Sequence, residues 1–240
     1  LINNAIINNI YRLDDYILFL TMDGLIIYSL RSNDWYQQHN FYNNQALWMV
    51  EEYNKKLYFA SSDGLIVANY QIIDNKLQLY LDEILLNDIE VYDISFPFIS
   101  SKEGLYEINN NSMFLINPDT YFNIEKYKKI NNPNKYFVLA LDFNNRLWRV
   151  KDNDKKHNSN SFIRKRIGNN IDNFCYIDNK IFAVDYNRIK MISDHKEWVF
   201  DLSQLNVNGP IYSIDCDNEW LWFTHSKGIA FFKWINYYAN

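Results

Sequence analysis

Residues 61–70 read SSDGLIVANY, an Asp63-Gly64 pair set directly before an apolar run. The same device stands at 21–30 (TMDGLIIYSL) and at 101–110 (SKEGLYEINN), so Gly24, Gly64 and Gly104 are spaced by 40 and 40. Residues 224–234 (THSKGIAFFKW) supply a fourth, Gly228. Between Gly104 and Gly228 two segments align with each other, 139–150 (LALDFNNRLWRV) and 182–192 (FAVDYNRIKMI), as Asp-aromatic-Asn followed by an apolar run. Placing Asn145 and Asn187 in the glycine slot gives spacings of 40, 40, 41, 42 and 41, and six units tile the chain. The physical reason is turn geometry. A tight reversal needs positive φ, which Gly takes freely and Asn at modest cost.

Composition agrees with this substitution. The chain holds 35 Asn but only 6 Gly and 4 Pro, so its turns must be built from Asn and Asp. Runs such as YILFL and KLYFA precede the slot, and LIIYSL and LIVANY follow it; they are short and aromatic or β-branched. Helical periodicity of useful length is absent. Upstream of each pair lies a strand with one aromatic (Tyr11, Trp48, Tyr92, Tyr127, Tyr176, Tyr212); downstream lies a polar-edged one, which in the last unit reads INYYAN. Four strands of about five residues with their turns fill about forty positions, the unit of a propeller blade.

The expected fold is therefore all-β, a β-propeller of six four-stranded blades in one domain over residues 1–240. The approximate blades are 6–43, 44–83, 84–121, 122–168, 169–204 and 205–240. The alternative is a fragment of a propeller with seven or more blades, because every unit owns four strands and only LINNA at the start is left to complete a seam. The chain begins at Leu1, which points to a mature or excised piece of a longer protein. No apolar stretch approaches the ~20 residues that span a bilayer, so no membrane span is expected. With no CxxC or metal spacing, Cys175 and Cys216 read as buried small hydrophobes in preference to a disulfide.

The unit reads Leu-(Trp/Tyr/Phe)-(Phe/Ile)-(Ala/Ser)-(Ser/Thr)-x-(Asp/Glu)-Gly-Leu, with Leu57 to Leu65 as the best copy and Leu221-Trp222-Phe223-Thr224 opening another. This resembles the two-component regulator propeller repeat, Leu-Trp-Ile-Gly-Thr-x-x-Gly-Leu, in degenerate copies over all six units. The Gly of the family's Ile-Gly-Thr step is Leu20, Ala60, Ser100, Leu141, Ala183 or Thr224 here. The resemblance implies an extracytoplasmic (periplasmic or surface) sensing or interaction module of a larger protein. Its implied partner is a protein or small extracellular ligand, or another domain of the same parent chain.

Three candidate sites follow. In a propeller the slot turns open on the face of the blade-to-blade connections, so Asp23, Asp63, Glu103, Asp142 and Asp185, with His225 and Lys227, would ring one channel mouth and hold a cation or polar ligand. The competing account is that Asp before Gly is ordinary turn chemistry, and it is the stronger. The six inner-strand aromatics could line a channel; packing between blades explains them better. Third, twelve Lys and Arg against four acids make residues 125–168 net +8 in a chain of net −5. Lys155, Lys156, Arg164, Lys165 and Arg166 would there dock an acidic partner, with solvation of an outer strand equally good as an explanation. Nucleic acid is not expected, since the chain as a whole is acidic. His39, His157, His195 and His225 are scattered, and neither a catalytic set, a metal site nor a cofactor is expected. The functional reading is a non-enzymatic ligand- or protein-binding propeller. Its alternatives are a carbohydrate-active enzyme, lyase or glycosidase, working at the channel mouth, and a scaffold docked through the basic fourth blade.

Overall fold

The computed structural model describes residues 5–37, 41, 44–109, 112–129, 132–151, 163–193, 196–202, 205, 207 and 209–237. No α-helix occurs among them. Twenty-three strands form six antiparallel sheets in which sequence neighbours pair. The first blade is β1 (Ile7–Leu13), β2 (Tyr16–Thr21), β3 (Gly24–Ser29) and β4 (Asp34–Tyr36). The second is β5 (Leu47–Tyr53), β6 (Lys56–Ser61), β7 (Gly64–Ile73) and β8 (Lys76–Leu85), and the third is β9 (Val91–Ser95), β10 (Phe98–Ser101), β11 (Gly104–Asn109) and β12 (Ser112–Asn117). The fourth is β13 (Tyr121–Lys129), β14 (Asn132–Asp142), β15 (Arg146–Lys151) and β16 (Ile163–Asn169). The fifth is β17 (Asn173–Ile177), β18 (Lys180–Asp185), β19 (Arg188–Ser193) and β20 (Lys196–Val199). The sixth has three strands among the described residues, β21 (Ile211–Cys216), β22 (Trp220–His225) and β23 (Gly228–Lys233). The fold is an all-β propeller of six blades, as the spacing predicts.

The last blade departs from expectation. Among the described residues INYYAN supplies no fourth strand: Trp234–Tyr237 form a 3₁₀ turn, and residues 238–240 lie outside the described residues. Trp234 is the cause. Its ring is buried against Phe182 at 5.2 Å, and its Nε1 donates to Asp217 O at 3.0 Å. That burial draws the chain off the line of β23.

The slot turns explain the repeated Ser/Thr-x-acid-Gly. Thr21, Ser61 and Ser101 are buried, and each hydroxyl accepts from the backbone N–H two residues on (3.1, 3.2 and 3.1 Å). Each then donates to the slot glycine's carbonyl, at 2.8, 2.7 and 3.2 Å. A hydroxyl of one residue thus satisfies a donor and an acceptor that a buried reversal would strand. The glycine itself is required for two reasons. Gly64 and Gly104 have φ of 143° and 136°, and a Cβ at either would run into the backbone where the outer strand ends, Leu85 O or Asn117 O.

In the fourth blade Asn145 takes the slot at φ 58°, as read from sequence. The fifth differs. Asp185 pairs with Arg188, which leaves a two-residue reversal, and the positive φ (54°) falls on Tyr186, not on Asn187. The Asp172 carboxylate accepts the Tyr186 N–H at 2.7 Å and so holds an aromatic residue where one rarely sits.

The chain divides into two compact units, Leu1–Ile124 and Glu125–Asn240, the division falling within β13. In the first unit, Leu18, Leu20 and Ile27 of the first blade pack on Val50, Leu57 and Phe59 of the second. In the second unit, Phe182, Val184 and Met191 pack on Ile214, Leu221 and Phe223. Each wholly buried side chain of this size stabilises the stack by about 1.5–3 kcal/mol.

Innermost strands are tied blade to blade as well. Asn9 Nδ2 donates to Met49 Sδ at 2.9 Å, Glu51 accepts from Phe96 N at 2.9 Å, and Asp93 accepts from Ile124 N at 2.8 Å. Between the fifth and sixth blades the tie is covalent. Cys175 of β17 and Cys216 of β21 form a disulfide with their Cα atoms 6.1 Å apart, which corrects the reading of both as free thiols. Their sequence separation of 41 is one repeat, so matching strands of adjacent blades bring them together.

Candidate functional site

Within each unit the slot turns share a face with the chain's passage to the next blade. The turn carbonyl accepts from that passage each time: Asp23 O from Asn44 N (3.1 Å), Asp63 O from Asp88 N (3.0 Å), Asn145 O from Ile171 N (2.9 Å) and Tyr186 O from Ile211 N (2.7 Å). Lys102 O takes the Thr120 hydroxyl at 3.1 Å. The loops of this face are therefore rigidly seated, which suits a surface that must present side chains without reordering.

The side chains expected here occupy two different positions. Asp23, Asp63, Glu103 and Lys227 are second in their reversals, whereas Asp142 and Asp185 end their strands, and His225 ends β22, pairing with Gly228. Asp142 is buried. Burial would raise its pKa, but hydrogen bonds from Trp148 Nε1 (2.9 Å), the Arg146 and Asn144 N–H groups and the Arg146 guanidinium (2.8 Å) outweigh that and hold it below 3.8. Asp185 pairs with Lys190 at 2.8 Å and Arg188 at 3.1 Å. Asp63 accepts from Gln45 Nε2, and Glu103 from the Tyr106 hydroxyl at 3.4 Å. Most of the proposed ring is thus engaged in shaping its own turns.

What the face presents instead is aromatic. Phe143 and Tyr186, the residues after Asp142 and Asp185, are each 58% exposed in the second unit. Asp172 joins their turns, taking Asn145 Nδ2 at 2.8 Å on one oxygen and Tyr186 N on the other. Neither ring is among the sequence-based candidates. Their signal in the sequence is the shared Asp-aromatic-Asn of residues 142–145 and 185–187. In the same unit, His225 Nδ1 is buried with no hydrogen-bond partner among the described residues. In the first unit, Trp48 Nε1 and Gln45 Oε1 are likewise buried and unmatched. Buried polar atoms of this kind call for a partner.

The six inner-strand aromatics do not form equivalent positions. Trp48, Tyr92 and Tyr212 sit at a β-bulge shared by β5, β9 and β21, while Tyr11 and Tyr176 lie further along their strands. Tyr212 is largely exposed, and the Tyr127 side chain lies outside the described residues. Asp93, on β9, has its pKa raised from 3.8 to about 7, chiefly by burial of its carboxyl and secondarily, against the hydrogen bonds from Ile124 and Ile94, by the neighbouring charge of Glu51. Of the basic docking residues, Lys155 and Lys156 lie outside the described residues. Arg164, Lys165 and Arg166 are exposed on β16, with the Arg164 and Arg146 guanidinium groups 4.6 and 5.6 Å from the Trp148 ring centre. A groove of about 530 Å³ opens between the outer strands β4 and β8, lined by Tyr36, Leu77 and Tyr80 among others. The described residues bring together no group of three or more His, Cys, Asp or Glu that would hold a metal, and none of their helices is long and apolar enough to cross a membrane.

No family model and no curated protein matches the chain. Solved structures match throughout its length. The extracellular domain of a putative hybrid two-component system, BT4673 from B. thetaiotaomicron, is similar at TM-score 0.67 and 16% identity over 96% of this chain and 33% of its own. A virginiamycin B lyase from Staphylococcus aureus follows at 0.61 and 14%, over 96% of this chain and 81% of its own. The β-propeller domain of Cps50 (Swd1) from Myceliophteria thermophila gives 0.61 and 8%, over 94% and 82%. The chain spans about a third of the length of the two-component structure. These likenesses establish the propeller fold.

Proposed function

We propose that the chain is a non-enzymatic binding propeller, a sensor or interaction module of a larger extracytoplasmic protein, and that it engages its ligand on the slot-turn face. The observation that carries this reading is Tyr186: an exposed aromatic ring on a backbone at φ 54°, held there by the Asp172 carboxylate. Backbone strain of this sort costs about 1–3 kcal/mol and persists where it serves a purpose. An aromatic ring on a rigid turn buries apolar area on binding at little entropic cost. Phe143, His225 and Lys227 belong to the same proposed surface in the second unit, and Trp48, Gln45, Asp23, Asp63 and Glu103 to its counterpart in the first. The Cys175–Cys216 disulfide supports an oxidising, extracytoplasmic setting, as does the fold's likeness to the extracellular domain of a putative two-component system.

A thermal-shift panel of soluble oligosaccharides and short peptides tests the reading. A compound that raises Tm should lose its effect in Tyr186→Ala and Phe143→Ala and keep it in Tyr80→Ala, on the outer edge. Stabilisation insensitive to both mouth substitutions, or dependent on Tyr80, would refute the proposed face. The basic outer strand supports a second docking surface, since Arg164, Lys165 and Arg166 stand exposed in succession; reversing Arg164 and Arg166 to Glu should then abolish capture of an acidic partner at low salt.

A further inference from the structure

The sixth blade carries a face that the other blades bury. Counting back from the slot turn, Trp222 pairs with Phe231 and Thr224 with Ile229. The same register gives Phe182 with Met191 and Val184 with Ile189 in the fifth blade, and Leu18 with Ile27 and Leu20 with Leu25 in the first. Phe182, Met191 and Ile189 are 0%, 1% and 0% exposed, and Leu18, Ile27 and Leu25 are 0%, 0% and 3%. Their counterparts Trp222, Phe231 and Ile229 are 41%, 51% and 72% exposed. In the first and fifth blades, the cover is the opposite face of the next blade, through Val50, Leu57 and Phe59 or through Ile214, Leu221 and Phe223.

Among the described residues the outer edge of this blade is open too. The outer strand of the second and third blades ends against the slot glycine, at Leu85 O beside Gly64 and Asn117 O beside Gly104, whereas a Cβ on Gly228 would meet nothing within 4 Å. A terminal repeat that faces water carries a polar outer surface, because stacked repeats otherwise expose their interface. Here the interface residues remain Trp, Phe and Ile, with Trp222 and Phe231 stacked at 5.0 Å.

We infer that the Trp222–Phe231–Ile229 face is a blade-docking interface whose occupant is a further repeat of the same polypeptide, presenting an apolar face of the Val50/Leu57/Phe59 kind. The occupant follows from continuity: the face repeats, residue for residue, an interface that the chain makes elsewhere with its own next blade.

The test compares Phe231→Cys in the chain of residues 1–240 with the same substitution in the full-length gene product, the native disulfide left oxidised. Maleimide labelling should be rapid in the 240-residue chain and at least a hundredfold slower in the full-length protein. Phe231→Asp should leave Tm within about a degree in the former and lower it by several degrees in the latter; Ile229→Cys gives the labelling result independently if Phe231 variants misfold. Equal labelling in the two proteins overturns the inference. So does protection already present in the 240-residue chain, with a second copy as the occupant if that protection grows with concentration.

Discussion

Reducing or deleting the Cys175–Cys216 link is the most informative perturbation of the second unit. The disulfide closes 41 residues, and the loop-entropy relation puts its contribution at about 4 kcal/mol near 25 °C. At about 2–4 °C per kcal/mol for a chain of this size, that becomes a fall in Tm of ~8–16 °C. The assay is calorimetry of the wild-type protein with and without a phosphine reductant, beside the Cys175→Ser/Cys216→Ser variant. The reduced protein and the variant should melt together, below the oxidised protein, and the reductant should leave the variant unmoved. Because the two cysteines lie on innermost strands already packed through Ile214 and Phe223, the folded blades should persist and the loss should register as earlier melting. A shift below about 3 °C would refute the reasoning, as would a variant that responds to reductant like the parent.

Three further outcomes follow from particular residues. Gly104→Ala should cost more than Gly228→Ala by roughly 1–3 kcal/mol, since both need positive φ but only Gly104 has Asn117 O where the methyl would go; denaturant midpoints at constant slope decide it. Tyr186→Gly should raise stability by about 1 kcal/mol through relief of its φ of 54° while abolishing ligand response, so a destabilised or fully responsive variant counts against the proposed site. Asp93 titrates near 7 in the folded protein against 3.8 ordinarily; the folded state therefore binds the proton more tightly, and Asp93's contribution is most favourable below pH 4 and lost as pH rises through 7. Relative to Asp93→Asn, wild-type stability should fall by about 4 kcal/mol between pH 4 and 8, and parallel pH profiles of the two proteins would show that the carboxyl is not enclosed as described.

The repeat was legible because its chemistry is local. A Ser or Thr, a spacer, an acid and a Gly can satisfy one another within four residues, and Thr21, Ser61 and Ser101 do so with the same two bonds. Asn145 was legible for the same reason. Tyr186 was not, since which residue of a reversal takes positive φ depends on the pairing of Asp185 with Arg188 and on a carboxylate fourteen residues upstream. Where the sequence leads one to expect a fourth strand, the described residues turn at Trp234–Tyr237, a tertiary effect of the burial of Trp234 against Phe182. The disulfide has no local cysteine motif; its only trace in the sequence is a separation of 41, which matches the repeat. The acids of the slot face were found by type, but only the structure shows Asp142 and Asp185 spent on Arg146 and Lys190.

Residue-resolved amide exchange tests most directly whether each blade is locked to the next through its slot turn and inner strand. Asn44, Asp88, Ile171 and Ile211 at the slot carbonyls, and Phe96 and Ile124 at the inner-strand acids, should exchange as slowly as the amides of β6 and β18. Exchange of these six at loop rates, with the strands themselves protected, would mean that the sheets form without the interlocking described, and the account would fail.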